Sequence, residues 1–150
     1  MAYCAIADLK KSIPISSLIE ITDDAGDSSD NSVTTAMQAI IDFCIERADT
    51  EIDDYCRGRY TLPFSPVPTT VKDLSVDISI YRLYSRVREL ESDHPKRVMY
   101  DDAIRKLKAI NSGDVVLNTT PETAQSEARI IETNKVTADR KFSDTELAKF

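Results

Sequence analysis

The stretch from Ser32 to Pro68 limits what the whole chain can fold into, because it joins a long amphipathic segment to one that can be neither helix nor central strand. Between Ser32 and Cys56 the apolar residues Val33, Met37, Ile40, Ile41, Cys44, Ile45, Ala48, Ile52, Tyr55 and Cys56 recur three and four apart. That is the spacing of one buried helix face. Asp42, Glu46, Arg47, Asp49, Glu51, Asp53 and Asp54 occupy the remainder, and Asp30, Asn31 or Ser32 can serve as N-cap for the first unpaired N–H groups. At ~1.5 Å per residue the helix runs about 35 Å, the width of a small domain, so the rest of the chain must pack on it. Gly58 falls where a helix commonly ends in a left-handed residue. Asp53 and Arg57 stand four apart in the order that favours an ion pair. From Tyr60 to Pro68 the prolines at 63, 66 and 68 exclude helix and central strand alike. The expectation is an extended strap that docks its apolar side chains, with Gly58, Tyr60, Leu62, Pro63, Pro66 and Pro68 as its structural residues.

The flanking segments read as further helices. Residues 1–22 hold two short ones, the first limited by Pro14 and the second capped by Ser16 or Ser17. The acidic loop Asp23–Asp30 lacks the alternating ligands, central glycine and final glutamate of a calcium-binding loop. It reads as a linker. Thr69 or Thr70 can cap a helix whose stripe is Val71, Leu74, Ile78, Tyr81, Tyr84 and Val87, with Arg82, Arg86 and Arg88 near its C-terminus. Arg82 and Arg86, four apart, could hold phosphate or a partner's carboxylates. Asp93 and Pro95 signal another start, and Tyr100, Ala103, Ile104, Leu107 and Ile110 form a stripe that ends at Gly113. Beyond it Val115–Leu117 and Arg129–Glu132 suggest brief strands, and Ser143 to Glu146 resembles a capping box. Polar spacers with isolated apolar anchors, here Phe142, Leu147 and Phe150, suit a segment that orders on a partner.

Composition narrows the function. A 150-residue chain with 41% hydrophobic content is one domain's worth of protein, able to bury ~70% of its unfolded surface. It contains no run of ~20 apolar residues and no signal-peptide pattern, so the expected location is the cytoplasm and no membrane contact is called for. Cys4, Cys44 and Cys56 are spaced for neither zinc nor a redox pair. Cys44 and Cys56 lie on the apolar stripe and read as buried hydrophobes; Cys4 is undetermined. Residues 1–56 carry 12 acids against 3 bases, residues 57–113 carry 7 against 11, and residues 114–150 carry 7 against 5. A net charge of −7 disfavours dedicated duplex binding, whose affinity comes from neutralising phosphates. An acidic front and a basic middle could instead complement each other between neighbouring copies, or be ordinary solvated faces. No phosphate loop, nucleophile elbow or zinc-protease motif is present, and His94 is the sole histidine, placed at a helix start. The expectation is a protein that is not an enzyme and needs no cofactor or metal.

The ordered series "MAYC…ADL…IP…LIEITDD", a helix ending "IDDYCRGRYTLPFSPVP", then "DISIYRLYSR", "YDDAIRKLKAINSGDVVL" and "RKFSDTELAKF" resembles the small head-to-tail connector (head completion adaptor) family of Mu-like prophages and related tailed phages. The likeness covers nearly the whole chain, and the helix, Gly-Arg-Tyr, Leu-Pro and proline string is its most specific part. It implies a structural virion protein made in the host cytoplasm and built into the head–tail junction. There it would form a ring of twelve copies under the portal protein, extend the channel through which genomic DNA passes without specific recognition, and present a platform for a tail completion or terminator protein.

The fold expected is mainly α: a compact four-helix bundle-like domain over residues 1–117 with one long central helix and the proline-rich strap. A short β or irregular C-terminal segment over 118–150 would order on assembly. Arg57, Arg59, Arg82, Arg86, Phe142, Leu147 and Phe150 are the candidate partner-interface residues. The alternative is a small helical nucleic-acid-binding regulator that uses Arg82, Arg86, Arg88, Lys96, Arg97, Arg105, Lys106 and Lys108. A hydrolase would require a deep pocket with convergent acids.

Overall fold

The computed structural model describes residues 2–24, 26, 33–87 and 89–118. These residues form five helices and no strand: α1 (Ile6–Ser12), α2 (Ile15–Thr22), α3 (Thr35–Cys56), α4 (Thr69–Val87) and α5 (Pro95–Ser112). The described residues thus have three long helices, with α1 packed against α4 and α2 against both α3 and α4. Among the described residues no helix is long and apolar enough to cross a membrane.

Helix starts differ from expectation by a residue or a few, each for a local reason. The N-cap of α3 is Thr34, whose extended backbone (ψ 167°) lets its hydroxyl accept the Met37 N–H at 3.4 Å; Asp30, Asn31 and Ser32 lie outside the described residues. Helix α2 begins directly after Pro14, whose carbonyl accepts the Leu18 N–H at 3.0 Å, so Ser16 and Ser17 are inside it and do not cap it. Helix α4 likewise starts on the Pro68 carbonyl, which accepts from Lys72 N–H at 3.0 Å. Helix α5 opens as expected, with Pro95 in its first turn and His94 as N-cap; its Nδ1 accepts the Lys96 N–H at 3.2 Å.

The most enclosed helix is α4, not the longer α3, because α4 packs against each of the other four. Its stripe holds in the first half, where Val71, Leu74 and Ile78 are buried with Ala48, Ile52, Cys56, Ala103, Leu107 and Ile110. A second row, Val76, Ile80 and Leu83, is buried on another side, among Leu9, Leu18, Ile21, Ile41 and Cys44. Tyr81 and Tyr84 are half-buried, and Val87 is exposed. A helix with neighbours on several sides needs more than one apolar face, and a single-stripe reading assigns it only one. Cys4, Cys44 and Cys56 are all free and buried.

The two helix ends that carry glycine behave differently. Gly58 does not adopt the left-handed conformation expected of it. Arg57 continues α-helical geometry (φ −52°, ψ −31°), and the Cys56 carbonyl accepts from both Arg59 and Tyr60. Gly113 does adopt it, at φ 91°. Open space surrounds a Cβ built at Gly58, whereas one at Gly113 falls 2.0 Å from Arg59 Nη1. Gly58→Ala is therefore expected to leave stability unchanged or raise it by about 0.4–1 kcal/mol through the unfolded chain. Gly113→Ala should lower it by about 1–2 kcal/mol, chiefly from the left-handed backbone, since Arg59 can swing aside. Paired thermal melts check both signs.

Past Gly113 the chain forms no strand at Val115–Leu117. Leu117 turns inward and is 3% exposed, while Val115 and Val116 face outward. The expected strand at 129–132 and the capping box at 143–146 lie outside the described residues.

Candidate functional site

The strap after α3 is held by aromatic side chains. Tyr60 and Phe64 are buried, with ring centroids 5.8 Å apart, and Tyr3 adds a third ring 5.6 Å from Phe64. Polar ends of the same residues supply the hydrogen bonds. The Tyr60 hydroxyl accepts the Leu117 N–H at 2.9 Å, and the Tyr3 hydroxyl accepts the Phe64 N–H at 3.4 Å while donating to Asp53. Leu62 and Val67 pack partly buried against this core, Pro68 is half-buried, and Pro63 and Pro66, each after a cis peptide bond, face solvent. The expected strap is present, but its principal anchor is Phe64, with Tyr3 and Leu117 as partners that no local pattern indicates.

The four arginines proposed to meet partners, Arg57, Arg59, Arg82 and Arg86, are all engaged within the chain. Arg59 donates to the Asn111 carbonyl at 3.4 Å, a cation placed at the C-terminal end of α5, where the helix dipole favours it. Arg57 pairs with Asp54 at 3.2 Å, not with the expected Asp53, whose carboxylate is taken by Tyr3. Arg82 meets Glu51 at 2.6 Å, and the same carboxylate accepts the Tyr100 hydroxyl at 2.9 Å, so one acid on α3 joins α4 and α5. Burial, and then this carboxylate, push the Tyr100 phenol up to about 12. Arg86 grips Asp24 with both terminal nitrogens, at 2.8 and 2.9 Å, and donates to the Ile21 carbonyl at the end of α2. Its hydrogen bonds hold the Asp24 carboxyl below its ordinary range. The suggested phosphate clamp of Arg82 and Arg86 is thus occupied by this chain's own carboxylates. Lys96 and Arg97 lie over the rings of Tyr84 and Tyr81, and Tyr81 stacks on Tyr100 at 4.2 Å. Arg88, Phe142, Leu147 and Phe150 lie outside the described residues.

A cleft of about 560 Å³ runs between residues 2–6 and α3, and Asp42, Glu46, Asp49 and Asp53 line it. Its deepest acid, Asp49, is 6% exposed and sits four residues after Ile45 and three before Ile52, on the buried stripe itself. It accepts the Tyr3 N–H at 2.8 Å and the Ser75 hydroxyl at 2.6 Å, and Cys4 Sγ lies 3.2 Å from the Ser75 oxygen. Burial raises the Asp49 carboxyl above its ordinary range, against the lowering effect of both hydrogen bonds, and burial likewise pushes up the Cys4 thiol. Asp53 binds Tyr3, and Asp42 accepts the Gln38 amide at 2.8 Å. The acids converge, but two of them tie the N-terminal segment to α3, and the sole histidine is the N-cap of α5. Among the described residues no group of three or more His, Cys, Asp or Glu is arranged to hold a metal. Chemically, the arrangement fastens helices together and leaves acidic and basic outer faces.

No curated protein matches the chain. Residues 3–133 match the family described as Bacteriophage Mu, Gp36. That span takes in all five helices and the strap, and it agrees with the phage resemblance carried by the helix and proline string, so the chain belongs to the phage Mu Gp36 family.

Proposed function

We propose that this chain is a structural, non-catalytic protein of the virion, an adaptor at the head–tail junction. Twelve copies of it dock as a ring beneath the portal protein. The ring extends the DNA channel and offers a platform to a tail completion or terminator protein. DNA passes through the lumen without specific recognition, eased by acidic walls that do not hold phosphate. The chain is made in the host cytoplasm and ends in the virion. The observation that carries this reading is membership of a phage Mu family across residues 3–133. Consistent with it, several polar side chains among the described residues join one element to another: Asp49, Asp53 and Tyr3 at the N-terminal anchor, Arg82, Glu51 and Tyr100 across three helices, Arg86 and Asp24 at the end of α2. Residues 118–150, with Phe142, Leu147 and Phe150 as anchors, are the extension that orders on the portal or a neighbouring copy.

The test is to mix the purified chain with tail-less, DNA-filled capsids or the isolated portal ring of the same genome and image the portal vertex. The expected result is a collar of added density. A chain that lacks residues 142–150 should keep its helical circular dichroism and lose that density; a truncated chain that still completes heads would remove the tail from the docking role. Well-folded protein that leaves the vertex bare, yet is retained on duplex DNA in a salt-sensitive way, would shift the reading to the nucleic-acid regulator.

A further inference from the structure

The outer face of α3 presents Asp42, Phe43, Glu46 and Thr50, all exposed and all on the side of the helix away from Ile41, Ala48 and Ile52. Phe43 is 57% exposed, an unusual place for a phenylalanine, and the Arg47 guanidinium lies over its ring at 5.7 Å. Helix α3 carries six acids against the single base Arg47. The outer face of α5 is its counterpart in charge. Val98, Arg105 and Lys108 are exposed along one side of the helix, opposite Ala103, Leu107 and Ile110, and Asp101 and Asp102 share that side. Val98 is 44% exposed, and α5 carries five bases against Asp101 and Asp102. Neither Glu46 nor Lys108 takes part in an ion pair among the described residues. Each face combines an exposed apolar side chain with a net charge: on α3 the acids outnumber Arg47, and on α5, once Arg105 has paired with Asp102 at 2.6 Å and Arg97 with Asp101 at 3.4 Å, Lys108 is left over.

We infer that these two faces meet between copies, the α3 face of one chain seating on the α5 face of the next. Two different patches meeting head to tail generate a closed ring when the rotation closes. Opposite potentials set the register and speed the encounter, while burying Phe43 and Val98 adds the non-directional part. Like faces repel, so α3 does not pair with α3. The inference rests on the ring assembly proposed above and names the surfaces that make it.

The experiment is sedimentation velocity on the full chain over a range of concentration and salt. Wild-type protein is expected to associate, less so as salt rises. Glu46→Lys alone and Lys108→Glu alone should each weaken association by about tenfold or more, since each sets like charges across the contact. An equimolar mixture of the two should restore it, because the reversed α3 face of one finds the reversed α5 face of the other. Phe43→Ala should weaken association without altering its salt dependence. All three positions are exposed, so circular dichroism should not change. Association untouched by either reversal overturns the face assignment and leaves the ring reading standing. A wild-type chain that stays monomeric at every concentration also overturns it, while the connector reading is decided separately by density at the portal vertex. If Lys108→Glu abolishes retention on duplex DNA and spares self-association, the α5 face belongs to nucleic acid and the inference fails.

Discussion

Phe64→Ala lowers the stability of the folded chain by about 3–5 kcal/mol, the usual range for emptying a buried phenylalanine site. Phe64 is 2% exposed and touches both other rings of the cluster, Tyr3 and Tyr60. Its removal leaves a void that the proline-spaced strap closes poorly, because prolines at 63, 66 and 68 restrict the backbone on either side. For a chain of this size the loss should bring the melting midpoint down by about 10 °C or more. Phe64→Leu, which keeps most of the volume, should recover more than half of it. The comparison matters beyond stability. The strap links α3 to α4, and the Leu117 N–H donates to Tyr60 within it, so a loosened strap also frees the exit from α5. Hydrogen exchange at the Leu117 amide should quicken in Phe64→Ala; an amide protected as in wild type would show that Tyr60 holds that exit unaided.

Asp49→Ala is the second large effect, about 2–3 kcal/mol, because it strands two buried donors, the Tyr3 N–H and the Ser75 hydroxyl. Asp49→Asn should be close to neutral at pH 7. Its amide oxygen can accept from Tyr3, its NH₂ can donate to the Ser75 oxygen, and no charge is left in the core. The two variants also separate by pH. Burial raises the folded-state value of Asp49, so the stability it contributes is complete below the unfolded value of ~3.9 and declines as pH rises through the folded value. Asp8 acts in the opposite sense. Hydrogen bonds from Lys72 and Lys11, at 2.9 Å each, together with the Ala5 N–H, hold its carboxyl at about 2. Its contribution is present above ~3.9 and fades as pH falls toward that lower value. Melting midpoints measured against pH should therefore decline less above pH ~4 in Asp49→Asn, the remainder coming from Asp77, whose carboxyl burial also raises, and should keep the acid-side loss to which Asp8 contributes. A decline unchanged in Asp49→Asn would place the responsible group elsewhere.

Much of this architecture is legible before any coordinates. The three-and-four spacing from Met37 to Cys56 marks α3, the Pro95 start and Gly113 stop bracket α5, and the prolines after Tyr60 forbid regular structure in the strap. These are local signals: a side-chain period, a missing N–H, a left-handed backbone. They depend on neighbours a few residues away and survive without knowledge of the fold. The same signals mislead where a local preference is overridden. Gly58 could have ended α3 in left-handed geometry and did not, because Arg59 and Tyr60 both reach back to the Cys56 carbonyl. Asp53 and Arg57 had the favourable spacing, but the Tyr3 phenol, fifty residues away in sequence, takes the carboxylate.

The sequence by itself determined the helical class, the extent of α3 and α5, the position of the strap and the buried state of Cys44 and Cys56. Only the tertiary structure decided that α4 is the enclosed helix, since a helix surrounded by neighbours shows no single stripe, and its second apolar row of Val76, Ile80 and Leu83 reads as noise beside the first. Only it decided which charges are free. Arg82, Arg86 and Arg59 look in sequence like a basic surface, yet Glu51, Asp24 and the Asn111 carbonyl hold them, whereas Glu46 and Lys108 take part in no ion pair among the described residues. Whether a charge is spent or available depends on what other helices bring within about 4 Å of it, and that is set by packing between segments far apart in the chain.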